Sequence, residues 1–305
     1  FRVLSALGSV PGSGLPLPRV ICLCQDSSVI GTSFYIMEHV EGRVFKDIKL
    51  PDIQANERQQ AYHSMSATLA ALHSIDPLKC GLKDYGKHSN YAGRTLKRWK
   101  GQYDKSAMGE AKTPAMDALA DWLFSNLPPE PEHISVVHGD FKLDNLVYHP
   151  TQPHVTAVLD WELSTLGDPL ADLGYACMPY SMPPTKFPYT GFPLAPDGSL
   201  LLPDGIPTEQ QFVATYCQRR NVQVPTASWS FYLALAMFRA ASISAGVYAR
   251  SQMGNASSDS AHLAGPMVGI LAQRALAVVK GVSVPRPVSD AGALHIPGLG
   301  MSPLA

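Results

Sequence analysis

The sequence of 305 residues has only five cysteines, Cys22, Cys24, Cys80, Cys177 and Cys217. They form neither a C-x-x-C pair nor a paired framework, which argues against a zinc site or a disulfide scaffold and favours reduced thiols in an intracellular compartment. A surplus of charge of either sign is also lacking: 24 Lys and Arg stand against 25 Asp and Glu, for a net charge of −1. Bulk electrostatics therefore give no case for a nucleic-acid or anionic-membrane partner. No apolar run reads as long enough for a transmembrane segment, and no repeat of solenoid period is present. The chain opens on Phe1 with no basic stretch leading into an apolar one, so no targeting peptide is visible and an incomplete N-terminus is expected.

What is present is concentrated in two stretches. Val136-Val137-His138-Gly139-Asp140-Phe141-Lys142-Leu143-Asp144-Asn145 is followed, after a short strand-like span, by Val158-Leu159-Asp160-Trp161-Glu162. Both acidic positions follow β-rich apolar runs, Ile134 to Val137 and Val155 to Leu159, and Asn145 stands five residues beyond Asp140. This matches the phosphotransferase arrangement in which a catalytic Asp orients the acceptor hydroxyl while an Asn and a later Asp hold magnesium on nucleotide phosphates. Phosphoryl transfer depends on positioning and charge neutralisation more than on covalent participation by the protein. Magnesium takes hard oxygen ligands and keeps several waters, so Asp160, the Asn145 amide oxygen and the nucleotide itself would suffice. A lone His-Gly-Asp would be read as a turn before a strand; the full combination is far more specific.

His138-Gly139-Asp140-x4-Asn145, Leu159 to Glu162, and Gly167-Asp168-Pro169-Leu170-Ala171-Asp172-Leu173 together resemble the aminoglycoside phosphotransferase and choline kinase superfamily. Val29 to Arg43 and Ala157 to Thr165 resemble, within it, the N-terminal kinase-like domain of acyl-CoA dehydrogenase family members ten and eleven. The similarity runs from the first residues to about Lys280. It implies an α+β, bilobal protein-kinase-like fold with a truncated N-terminal lobe and a mostly helical C-terminal lobe. It also implies ATP and Mg2+ as cofactors and a small-molecule hydroxyl as acceptor, specifically a 4-hydroxyacyl-CoA in fatty-acid catabolism. Mitochondrion or peroxisome is the compartment so implied. Full-length family forms are fused to an acyl-CoA dehydrogenase domain, of which nothing is visible here. Two alternatives stay open: a small-molecule kinase with another acceptor, and a catalytically silent nucleotide-binding or interaction module.

Along the chain, residues 1–40 read as the remnant of a small N-terminal lobe and hinge: a helix end at Phe1 to Leu7, an irregular Gly8-to-Pro18 segment, and strands at Arg19 to Cys24 and Thr32 to Met37. Residues 41–281 read as the large lobe, with apolar stripes at helical spacing in Glu57 to His73 and Ala115 to Asn126. A capping box at Thr208 to Gln211 opens a helix reaching about Arg220. Trp229 to Arg250 and Ala261 to Lys280 read as further helices. Pro179 to Pro207 reads as a long loop able to cover an acceptor, and 282–305 as a disordered tail.

Asp140 is the catalytic candidate, with Asn145 and Asp160 as metal ligands. His138 is read as scaffolding in preference to a base, and Asp168 and Asp172 as carboxylates that cap backbone N–H groups. Lys142 is equally compatible with a phosphate contact and with solvation. The resemblance assigns nucleotide binding to Met37, the carbonyl of Glu38 and the N–H of Val40. Arg219, Arg220, Arg239 and Arg250 suit coenzyme A phosphates or plain surface charge, and Arg239 stands out because its neighbours are apolar. No Gly-rich loop followed by a strand lysine precedes Met37, so the phosphate clamp of such kinases is expected to be missing.

Overall fold

Residues rich in β-branched and aromatic side chains form the first sheet, an antiparallel hairpin of β1 (Val20–Cys24) and β2 (Phe34–Met37) with Leu23 opposite Tyr35 and Cys24 opposite Phe34. The computed structural model describes residues 1–185, 190–225, 227–256 and 258–281. The expected tail at 282–305 lies outside them. Ahead of the hairpin, α1 (Arg2–Gly8) buries Val3, Leu4 and Leu7 in the main core. The irregular segment after it rests on the large lobe, where the Val158 N–H donates to the Pro16 carbonyl at 3.1 Å.

Helices make up most of the remainder. In α2 (Ala55–Ser74), Tyr62, Met65, Leu69 and Leu72 are buried, the stripe expected from their spacing. Thr113 caps α4 (Pro114–Ser125), with Pro114 in the first turn where its missing N–H costs nothing. Both hydrogen bonds of the Thr208–Gln211 capping box form at the start of α6 (Glu209–Arg220). Between α2 and α4 runs α3 (Tyr91–Ser106), a helix not anticipated from the sequence. Two three-residue strands, β3 (Ser135–Val137) and β6 (Thr165–Gly167), pair antiparallel, as do β4 (Leu146–Tyr148) and β5 (Val155–Val158).

Two hydrophobic clusters share α5 (Leu170–Cys177). One joins α1, α2, α6 and the short strands; the other joins α3, α4, α7 (Trp229–Gln252) and α8 (Ala264–Val279). Two segments do reach the length and hydropathy of a membrane span, Trp229–Gln252 and Asp259–Val279, which corrects the reading that no apolar run is long enough. The first has 83% of its most apolar window buried inside the protein and serves as a core helix; the second has 39% buried. The 179–207 segment is less free than its composition suggests. Among its described residues Met182 and Phe192 are fully buried, and the Gly191 N–H donates to the Pro183 carbonyl at 3.0 Å.

Candidate active site

Strand β3 ends at Val137 and leads into the His138-Gly139-Asp140 turn of the large lobe. Gly139 adopts φ +86°, and a Cβ there would lie 2.7 Å from the Leu163 carbonyl oxygen, so the turn tolerates no side chain. Asp172, on α5 and only 1% exposed, gathers the turn's amides: His138 N–H donates to its Oδ2 at 2.6 Å and Gly139 N–H to its Oδ1 at 2.8 Å. His73 Nε2 stands 3.3 Å from the same Oδ2. Burial pushes this carboxyl up, but the bond from His73, the nearby imidazoles and the Gly139 amide outweigh it and hold Asp172 below its ordinary value.

His138 is fully buried, its ring 4.7 Å from that of Trp161. Its Nε2 donates to the Leu159 carbonyl at 2.8 Å and its Nδ1 accepts the Asp140 N–H at 3.1 Å. Burial lowers its affinity for a second proton. With both ring nitrogens holding backbone, the geometry is that of a scaffold. Asn145 donates through Nδ2 to the Asp140 carbonyl and to Asp140 Oδ2, each at 2.8 Å. Its main-chain carbonyl accepts the Leu159 N–H at 2.9 Å. Leu159 is thereby pinned on both sides, its N–H to Asn145 and its carbonyl to His138. The next residue is Asp160, exposed and in left-handed backbone at φ 65° and ψ 58°. Trp161 closes the turn by donating its indole N–H to the Val158 carbonyl at 2.8 Å.

The structure thus brings the segments of Asp140, Asn145 and Asp160 together through main-chain bonds. Asp168 lies behind them: its Oδ1 caps the Leu170 N–H at 2.9 Å, its Oδ2 accepts the Tyr232 hydroxyl, and burial raises its pKa. Lys142 Nζ lies 3.0 Å from Asp144 Oδ2 and 3.6 Å from Asp140 Oδ2. Just past β2, Glu38 turns its carboxylate toward β1, where Oε1 accepts the Arg19 N–H at 2.8 Å; Met37 is exposed and Val40 half-buried. Arg43 ties the segment after β2 to β4 and α2. It exchanges both backbone bonds with Tyr148 at 2.8 Å, donates to the His149 and Gln152 carbonyls at 3.0 Å, and pairs with Glu57 at 2.7 Å.

Two of the arginines suggested for an acceptor are Arg239 and Arg250. Arg239 is buried between α3, α5 and α7, its guanidinium 4.9 Å from the Tyr175 ring centroid and 5.3 Å from that of Trp99, and Arg250 is exposed near the end of α7. Among the described residues, no hydrogen bond or ion pair joins either of them to Asp140 or Asp160.

The donor set fits magnesium bound with a nucleotide. Two acceptors on Asp140 turn the Asn145 amide nitrogen inward, so its oxygen is the atom left for a cation, and Asp160 adds an exposed carboxylate. Among the described residues no group of three or more His, Cys, Asp or Glu could hold a metal. A cation here would need phosphate and water to complete its shell. Sequence reasoning gave no site role to Leu159, Arg43, His73 or Tyr232. Leu159 acts only through its main chain, and His73 simply extends an apolar stripe.

Residues 1–197 match the model of the phosphotransferase enzyme family. The chain is similar to acyl-CoA dehydrogenase family member 11 of Gallus gallus, 43% identical over 286 residues, covering 93% of this chain and 35% of that protein. The Homo sapiens member 11 is 40% identical, with 92% and 34% covered, and Mus musculus family member 10 is 41% identical, with 90% and 25% covered. The chain therefore spans about a third or less of the length of these curated relatives. A crystal structure of a Ralstonia eutropha JMP134 protein, described as a candidate aminoglycoside phosphotransferase, superposes with TM-score 0.78 at 44% identity, covering 90% of this chain and 82% of that one. The ternary complex of a thermostable APH(4)-Ia aminoglycoside phosphotransferase mutant with AMP-PNP and hygromycin B superposes with TM-score 0.57 at 15% identity, covering 90% and 81%. These likenesses identify the fold as α+β and kinase-like.

Proposed function

The chain belongs to the phosphotransferase enzyme family, and on that premise we propose that its large lobe transfers the terminal phosphoryl group of ATP to a small-molecule hydroxyl. The observation that carries this reading is the pinning of Leu159 between His138 and Asn145, which sets Asp160 beside the Asp140–Asn145 pair. Asp140 Oδ2 is engaged by Asn145 and approached by Lys142. Its Oδ1 is then the oxygen offered to the acceptor hydroxyl, orienting it in line and receiving its proton as transfer proceeds. Asp160 and the Asn145 amide oxygen would hold magnesium on the nucleotide, which when bound neutralises charge on the transferring group.

The acceptor we propose is a 4-hydroxyacyl-CoA. Support comes from the relatives, which are named as acyl-CoA dehydrogenase family members. A panel of 4-hydroxyacyl-CoA, choline and an aminoglycoside, followed by ADP release, tests it. Preference for a cationic acceptor would remove the acyl-CoA assignment and leave phosphotransfer standing. A second reading, nucleotide binding without turnover, is favoured by the small sheet, whose strands VICLC and FYIM carry no lysine to reach the phosphates. Binding of Mg-ATP with no ADP release from any acceptor would select it.

A further inference from the structure

Behind the catalytic turn, a chain of side-chain hydrogen bonds runs outward from Asp172. His73 Nε2 lies 3.3 Å from Asp172 Oδ2, His73 Nδ1 lies 2.8 Å from the Tyr216 hydroxyl, and Arg220 Nη1 donates to that hydroxyl at 3.0 Å. His73 and Tyr216 are fully buried. Arg220 is half-buried at the C-terminal end of α6, on the wall of a cavity of about 420 Å3 that His73 and Ser135 also line.

The donor inventory sets the direction of every link. A guanidinium only donates, so the Tyr216 oxygen accepts from Arg220. An ionised Asp172 carboxylate only accepts, so the single proton of a neutral His73 belongs on Nε2, and Nδ1 is left to accept the phenolic proton of Tyr216. Burial opposes a doubly protonated ring here, in keeping with one proton on His73. The carboxylate that receives it is the one holding the His138 and Gly139 amides.

We propose that Arg220, Tyr216 and His73 are positioning residues for phosphoryl transfer: the relay reinforces the Nε2–H tautomer of His73 and so steadies the Asp172 carboxylate that holds the loop of Asp140. The inference rests on the phosphotransferase reading, but its structural half stands apart from turnover. A buried donor that orients an active-site group through a second side chain typically carries about 10-fold or more of activity.

Nitrogen-15 correlation spectra of the imidazoles test it directly, together with amide hydrogen exchange. Wild type is expected to show His73 as Nε2–H. Tyr216→Phe, which removes one oxygen, is expected to mix the tautomers, speed exchange at His138 and Gly139, and lower kcat about 10-fold with KM for Mg-ATP unchanged. Arg220→Met, a substitution at the cavity wall with little risk to folding, is expected to move all three in the same direction. His73→Gln can accept from Tyr216 and donate to Asp172, so it should retain kcat where His73→Leu loses it. An Nδ1–H tautomer in wild type, or unchanged exchange at His138 and Gly139 in both Tyr216→Phe and Arg220→Met, would overturn the proposal. If no acceptor is phosphorylated, the tautomer and exchange results still decide the relay, and only the functional reading fails.

Discussion

Asp160 adopts a left-handed backbone that Asp and Asn accept more readily than other side chains with a Cβ. Asp160→Asn therefore removes the charge while keeping the turn. We expect it to weaken Mg-ATP binding about 10- to 100-fold by calorimetry. Asp140→Ala should leave nucleotide binding nearly intact and cut transfer by about 100-fold or more. Equal loss of binding in the two variants would contradict the division of roles. Proton linkage gives a separate test. Burial lowers His73 and His138 from 6.5 in the folded chain, so below about pH 6.5 the unfolded state takes up protons that the folded state refuses. Stability is then complete above that pH and declines as the pH falls through the window beneath it. Asp172, held below 3.8, adds a further loss in more acid solution. Urea midpoints between pH 8 and 5 should follow this course, with a shallower decline in His73→Gln.

At the scale of elements, legibility followed burial pattern and capping chemistry. Tyr62, Met65, Leu69 and Leu72 in α2 and the Thr208–Gln211 box of α6 are local signals, and the helices form where those signals place them. Thr208→Ala should cost about 1 kcal/mol, read as a lower melting temperature. Helix α3 escaped because only Tyr91, Leu96, Trp99 and Tyr103 of its 16 residues are buried, too sparse a stripe among charged neighbours. Strands β4 and β6 are three residues long and have no period to read. In α7, Arg239 keeps its Nε and Nη2 buried without a hydrogen-bond partner among the described residues, beside the ring faces of Trp99 and Tyr175. Taking a charge out of water is costly, and well-packed apolar side chains that replace buried ionic groups are often neutral or stabilising. Arg239→Met is therefore expected to leave the melting temperature unchanged or raise it. A pronounced fall would show that the aromatic faces compensate the charge.

Across the whole molecule, the motifs proposed for catalysis could be picked out because Asp140, Asn145 and Asp160 lie within two short stretches of chain. The supports were not, because they meet from afar: Arg43 reaches Glu57, Tyr148, His149 and Gln152, and Asp172 meets His73 and the His138 turn. Such meetings depend on packing that no local pattern encodes. A ligand that spans the hinge and the Asp160 turn should stabilise the fold as a unit. At 100 times its dissociation constant, Mg-ATP would add about 2.7 kcal/mol. Differential scanning fluorimetry should show the rise with Mg-ATP and its reversal with excess EDTA. A shift that persists without the divalent ion would place the nucleotide away from Asn145 and Asp160.

Leu159 holds its neighbours with an amide hydrogen and a carbonyl, the two groups that nearly every amino acid carries. Natural selection at this position would consequently monitor the main chain and be largely indifferent to the side chain. Drift there could be wide among descendants of a common gene, with one substitution forbidden, since proline alone lacks the hydrogen that Asn145 receives. A survey of variability would rank the position as unremarkable while the geometry of the whole site hangs on it.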